Sequence, residues 1–359
     1  MKPTTKVSLK LKGKPPKDTE ASLETRYASL LEHYTSKQSQ PRSSLYPSPD
    51  DSDFTQRLLS KKEFARFTSK NPHTPGDTYE KTADILCSTS DFRFTPNQNF
   101  VSNFLSPNTP YNSMLLFHSV GVGKTATAIS IAERYYEQYK RRVLVVLSGN
   151  IKDNFKKQIF DINKYNLTTN SSQLCTGTKY PDMIFDKELM TPDALENKIH
   201  KIIKERYQFI GYKELVSIIH KIKEKVQKLE RDTSKHERRI AEKIREAFSN
   251  RLIIIDEAHN LRMPGDAAGK KQIASTFLEV LQQVENTKLL LMTATPMFND
   301  AKEIVWLMNL ILTNEKLPNI TTQQLFSGNQ VKNKTLLRKL ARTYVSYMRG
   351  ENPFSFPFR

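Results

Sequence analysis

Four short apolar runs constrain this chain more than any other feature: "SMLLF" from Ser113, "RVLVVLS" from Arg142, "RLIIID" from Arg251 and "KLLLMTAT" from Lys288. Each is too short for a helix, apolar at consecutive positions and closed by polar or turn residues, which is how a strand buried on both faces reads. Between Phe94 and Lys316 amphipathic helical patterns alternate with these runs. Strands that alternate with helices and turn neither face to water form a parallel sheet wrapped by helices, so an α/β fold is expected. With 359 residues and 37% hydrophobic content there is enough apolar material for one large domain with appendages or two modest ones.

The residues that close the runs carry chemistry. "SMLLF" passes through "HSVGVGKT" into "ATAISIAERYY", giving strand, glycine loop and helix in the order a phosphate cradle requires. In such a loop the backbone N–H groups of Gly121, Val122, Gly123, Lys124, Thr125 and Ala126 wrap phosphates at a helix N-terminus. Lys124 would reach the β and γ phosphates and the Thr125 hydroxyl would coordinate Mg²⁺. The pattern G-x-x-x-x-G-K-[ST] puts its first glycine where His118 stands. That position is the hinge between strand and loop, so a packed or capping histidine changes the approach to the cradle more than the cradle itself.

Further on, "RLIIIDEAHNL" ends a strand in two carboxylates. Asp256 would hold Mg²⁺ through its water shell, and Glu257 would polarise the attacking water. "KLLLMTATPMFND" supplies a third strand ending in Thr293 and Thr295, whose hydroxyls can bond the "DEAH" side chains, His259 among them, and report phosphate state. ATP and Mg²⁺ are therefore the expected cofactors.

A formal charge of +18 and a pI near 9.6 point to a polyanionic partner, nucleic acid first, with a basic surface kept for solubility as the alternative. Two cysteines, Cys87 and Cys175, and seven scattered histidines support neither a disulfide framework nor a metal site of their own, and a reducing compartment is expected. No run approaches the roughly 18 apolar residues of a membrane span, and the N-terminus lacks the apolar centre of a signal peptide. The chain reads as soluble, not secreted and without a membrane partner. Residues 1–77, rich in Lys, Ser, Thr and Pro, read as a basic, largely disordered arm, and 78–316 as the ATP-binding lobe. A charged helical insertion is expected at about 191–250, densest in "YKELVSIIHKIKEKVQKLERDTSKHERRIAEKIREAFSN", either as a solvated hairpin or as an arm facing nucleic acid. Residues 317–359 read as a helical extension.

"GVGKT", "DEAH" and "TATP", in this order, resemble motifs I, II and III of the superfamily 2 helicases and translocases. A narrower resemblance, carried by "LLFHSVGVGKT", "NRLIIIDEAHNLR", "MTATPMFNDAKEIVWLMNLIL" and "RGENPFSFPFR", is to the Swi/Snf-like helicases of nucleocytoplasmic large DNA viruses, in which a histidine commonly stands at the position of His118. The resemblance spans roughly Phe94 to Arg359. It implies a RecA-like P-loop NTPase lobe, with Gln98 in "FTPNQNF" similar to the glutamine that reads adenine, and with Ser148 and Asn150 in "VLVVLSGNIKDNF" similar to motif Ia, where a strand end meets the nucleic-acid backbone. It implies a viral DNA-dependent ATPase, with DNA ahead of RNA, acting in transcription or genome handling in the host cytoplasm or virion.

The sequence departs from the superfamily after "TATP", where no Q-x-x-G-R-x-x-R stretch and no second set of strands follows. Arg338, Arg342 and Arg349 do not form that motif and are not read as arginine fingers. A finger is worth on the order of 10³ to 10⁵ in rate, so the chain is expected to bind nucleotide better than it turns it over. A second RecA-like lobe or a transcription-complex subunit is the expected partner, and the chain is expected to be a fragment, a split gene product or a truncated frame. Two other classes stand beside the motor: a nucleic-acid-binding or assembly subunit that keeps the lobe as a scaffold, and a small-molecule kinase, which "DEAH" followed by "TATP" fits poorly.

Overall fold

The computed structural model describes residues 45–67, 92–230, 232–261, 268–297 and 300–349. Cys87, the final ten residues and most of the segment expected to be a loose arm lie outside the described residues.

The four apolar runs are strands β1 (Ser113–His118), β2 (Val143–Leu147), β4 (Leu252–Asp256) and β5 (Lys288–Thr293), joined by β3 (Tyr207–Gly211) and β6 (Val345–Met348). They form one sheet in the order β6-β1-β5-β4-β2-β3, parallel at every pairing. Register places Leu115 opposite Leu291 and Val345, and Ile254 opposite Leu290 and Val145. Because all strands run the same way, every C-terminal end reaches one edge, and β5 separates β1 from β4 there.

Helices cover both faces. On one lie α1 (Pro96–Phe104), α2 (Lys124–Tyr139), α3 (Lys152–Ile159) and α4 (Pro192–Arg206); on the other lie α5 (Tyr212–Leu229), α6 (His236–Phe248), α7 (Ala268–Gln283), α8 (Glu303–Asn314) and α9 (Lys334–Tyr344). Alternate strand residues feed separate cores, as the two-residue repeat of a strand requires. Leu116, Val145, Ile254 and Leu290 pack with Ile129, Tyr135, Phe155 and Ile199, whereas Leu115, Val146, Ile255 and Leu291 pack with Leu215, Phe248, Phe277 and Ile311. Both faces being buried explains why these strands are apolar throughout rather than alternating. This is the α/β, RecA-like lobe expected from the motifs.

Three segments differ from the sequence reading. Residues 46–67, placed with the arm, pack on the first core: Phe54, Leu58 and Phe64 are buried, Tyr111 donates to the Pro47 carbonyl at 2.9 Å, and Arg342 donates to the carbonyls of Ser52 and Asp51 at 3.0 Å each. Aromatic anchors spaced among Ser, Pro and Asp do this work without producing an apolar run. The span 191–250 is not all insertion, because α4 and β3 make one more layer of the sheet, with β3 paired to β2 from Tyr207–Val143 to Gly211–Leu147. As an edge strand, "YQFIG" needs no continuous apolar face. Only α5 and α6 form the charged pair of helices, and even these bury Leu215, Ile219, Ile244 and Phe248. The extension after 317 is not all helical either: after α9 the chain enters the sheet as β6, beside β1.

Candidate nucleotide site

The site lies where β1, β5 and β4 end side by side. Neighbouring strands are about 4.8 Å apart, so the β1 and β4 ends stand about 10 Å apart, a span that phosphates and a hydrated cation can fill. Crevices at the C-terminal edge of parallel strands are the usual ligand positions in such sheets.

The loop from Ser119 to Gly123 turns tightly between β1 and α2. Gly121 and Gly123 have φ of 82° and 83°, the left-handed region that costs a side chain dearly. Gly123 is also the N-cap of α2, and no side chain caps the helix there, which leaves its first-turn N–H groups directed toward the loop. A Cβ at Gly123 would collide with the Gln98 amide. Lys124 opens the helix and donates to the carbonyls of His118 at 2.8 Å and Ser119 at 3.0 Å. Burial pulls its ammonium below the usual lysine range, opposed by the nearby Glu257 and Asp256. Thr125 follows, half-buried, and Val122 and Ala126 are buried beside it.

His118 is the last residue of β1 and is fully buried. Its Nε2 lies 2.8 Å from the Ser346 hydroxyl of β6, and Ser119 N–H donates to the Met348 carbonyl at 3.0 Å. Burial, aided by Lys124, pushes its pKa down to about 4, so the ring is neutral near pH 7. The histidine thus fastens the root of the loop to the edge strand, a packing role for which glycine has no atoms.

Asp256 ends β4, and its Oδ1 accepts from the Glu257 N–H at 3.0 Å. Burial first, and Glu257 second, push its carboxyl up to about 6. Glu257 then turns into the left-handed region with φ 53°, so its side chain leaves the strand direction. His259 Nδ1 is the hub of the neighbouring contacts, 3.2 Å from Glu257 Oε2, 2.9 Å from Thr293 Oγ1 and 3.4 Å from Thr295 Oγ1. Thr293 Oγ1 also accepts from the Thr295 N–H at 3.0 Å. The "DEAH" and "TATP" segments are therefore one hydrogen-bonded unit.

Gln98 stands at the third position of α1, buried, in a capping box with Thr95. Its Oε1 accepts from the Thr95 N–H at 2.8 Å and its Nε2 donates to the Gly123 carbonyl at 3.2 Å. The amide oxygen thus fixes the start of α1, and the amide nitrogen braces the glycine loop from there. Ser148 and Asn150 lie just past β2 on the same edge, Ser148 half-buried and Asn150 exposed.

Sequence reasoning missed Tyr212. It is the first residue after β3, buried, and its hydroxyl lies against the Asp256 carbonyl and 3.1 Å from that of Glu257. Ser346 was missed for a related reason, since β3 and β6 are the two edge strands and neither reads as an apolar run. Among the described residues no group of three or more His, Cys, Asp and Glu side chains could hold a metal alone, and no helix is long and apolar enough to cross a membrane.

Residues 91–298 match the family model described as Type III restriction enzyme, res subunit. A protein of Acanthamoeba polyphaga mimivirus provisionally named an ATP-dependent RNA helicase is 31% identical over 88% of this chain and 28% of its own length. The African swine fever virus early transcription factor large subunit homolog, isolate Pig/Kenya/KEN-50/1950, is 24% identical over 88% of this chain and 34% of its own. The chain thus spans about a third of the length of these relatives. A solved structure, the Sulfolobus solfataricus SWI2/SNF2 ATPase core in complex with dsDNA, is similar at a TM-score of 0.43 and 14% identity over 73% of this chain and 46% of that one. The chain belongs to the family described as Type III restriction enzyme, res subunit, as a superfamily 2 helicase domain of the kind found in nucleocytoplasmic large DNA viruses.

Proposed function

We propose that this chain supplies the Mg²⁺·ATP-binding lobe of a nucleic-acid-dependent ATPase of helicase or translocase type, with residues 78–316 carrying the nucleotide chemistry. The observation that supports it best is the convergence of Lys124, which Thr125 follows, with Asp256 and Glu257 at one sheet edge, close enough for the charges of Lys124 and the two carboxylates to perturb one another. Oxygen donors from one hydroxyl and one buried carboxylate suit Mg²⁺, which is usually held by one or two carboxylates together with substrate phosphates rather than by a protein cage. When bound, the ion neutralises charge between the phosphates and the buried carboxylate.

In this reading the α2 N-terminus and the loop N–H groups receive the phosphates, and Lys124 exchanges its loop carbonyls for phosphate oxygens. Gln98 holds the loop in shape and presents its remaining donor toward adenine. Glu257 orients the attacking water and accepts its proton, while His259, Thr293 and Thr295 pass the change at Glu257 to the β5 end. Ser148 and Asn150 meet the nucleic-acid backbone, and the basic charge of the chain supports phosphate contacts that read no sequence. Arginines from a second lobe would complete the charge stabilisation. In this reading the activity serves transcription or genome handling in the host cytoplasm or virion, with DNA ahead of RNA as the strand; the likeness to an early transcription factor large subunit homolog supports the transcriptional role.

The test is ATP hydrolysis by the purified chain, with and without single- and double-stranded DNA and RNA, against Glu257→Gln. Nucleic-acid-dependent turnover lost in the variant supports the motor. Salt-sensitive DNA binding indifferent to ATP, with no turnover in either protein, supports the scaffold reading instead.

A further inference from the structure

The geometry points to Tyr212 as a positioning residue for Glu257, holding the left-handed turn that aims the Glu257 carboxylate away from its strand. This inference rests on the reading of Glu257 as the group that orients water.

The turn requires support. A non-glycine residue at φ 53° is disfavoured and persists only where surrounding contacts over-determine it. At Glu257 those contacts converge on two consecutive carbonyls. The Asn260 N–H donates to the Glu257 carbonyl at 2.9 Å, closing the short 3-10 helix Ala258–Leu261. The Tyr212 hydroxyl, reaching from the first residue of α5, lies within hydrogen-bond distance of both the Asp256 and the Glu257 carbonyls. One buried hydroxyl thus bridges the last carbonyl of β4 and the first of the turn. Without it the Glu257 peptide is free to rotate back toward the strand conformation, and the carboxylate moves away from His259, which it now meets at 3.2 Å.

Tyr212 makes no contact that would place it on substrate, so its effect is on rate rather than on ATP affinity. It is also the first residue of the charged α5–α6 pair inserted between β3 and β4, so the start of that pair is joined to the carboxylate turn.

The experiment is a double-mutant cycle in the full chain, with Tyr212→Phe, Glu257→Gln and the combination. Steady-state ATP hydrolysis is measured with saturating Mg²⁺ and nucleic acid. Tyr212→Phe is expected to lower kcat about tenfold, the equivalent of one lost hydrogen bond, with KM for ATP within twofold. In the Glu257→Gln background it should change nothing further, because it acts through Glu257. Wild-type kcat in Tyr212→Phe, or independent multiplication of the two losses, overturns the assignment.

A readout independent of turnover is the ¹⁵N–¹H correlation spectrum of His259. Tyr212→Phe should shift its imidazole signals in the direction that Glu257→Gln shifts them, and unmoved signals overturn the assignment. Failure of the wild-type chain to bind ATP would refute the nucleotide reading and leave this second measurement decisive for the turn.

Discussion

Asp256→Asn should stabilise the free protein while removing the Mg²⁺ dependence of nucleotide binding. The Asp256 carboxyl is pushed from 3.8 to about 6 by burial and by Glu257. At ~1.4 kcal/mol per pH unit, ionising it inside the folded protein costs about 3 kcal/mol. The sign follows from the raised folded-state value. The protonated acid is the form the fold prefers, so no penalty exists below the usual carboxylate value; it grows as pH rises toward 6 and is constant above. Asparagine keeps the oxygen that accepts from the Glu257 N–H and cannot ionise. Thermal melts in EDTA should therefore show the variant higher by roughly 4 to 5 °C at pH 8, from the usual unfolding entropy per residue for a domain of this size, and level with wild type near pH 4. A variant that melts lower at pH 8, or by the same margin at both pH values, would refute the argument that this carboxylate is held at an energetic cost. Such a cost is the expected mark of a functional carboxylate, which a cation relieves when it binds.

Two further substitutions separate scaffold from site. Glu133 on α2 is buried and accepts from Tyr180 and Tyr207 at 2.6 Å each, from Arg206 at 2.9 Å and from Lys179 at 2.8 Å. Glu133→Ala leaves Arg206 buried without that partner and should cost about 3 to 5 kcal/mol, read as a lower urea midpoint, with ATP affinity within twofold where the protein is folded. His118→Gly restores the glycine of the general loop pattern yet removes a buried ring and its contact with Ser346. It should cost about 2 to 5 kcal/mol in urea unfolding and fail to tighten ATP binding; tighter binding without loss of stability would contradict the packing role.

The centre of this protein was legible in its sequence and the edges were not, for one physical reason. Strands β1, β2, β4 and β5 have neighbours on both sides and helices on both faces, so burial forces them to be apolar throughout and each stands out. Their ends carry the glycine loop, the two carboxylates and the two threonines, so most of the candidate site was readable with them. Strands β3 and β6 border the sheet on one side only and tolerate Gln208, Ser346 and an exposed Tyr347. Unread as strands, they hid the two contacts that tertiary structure adds: Tyr212 on the carboxylate turn and Ser346 on His118. Residues 46–67 stayed hidden differently, because Tyr46, Phe54 and Phe64 anchor a segment whose average composition is that of a loop. Gln98 was singled out by the resemblance to the superfamily's glutamine, yet the bracing of the Gly123 carbonyl could be seen only in three dimensions.

The most direct test of the central claim is a titration of the chain with fluorescent ATP, with and without Mg²⁺, comparing wild type with Lys124→Ala and measuring DNA affinity in parallel. Saturable Mg²⁺-dependent binding that Lys124→Ala abolishes, with DNA affinity nearly unchanged, is the result expected if β1, β4 and β5 close a nucleotide site distinct from the nucleic-acid surface. ATP affinity indifferent to Lys124, or equal loss of ATP and DNA binding in the variant, would contradict it.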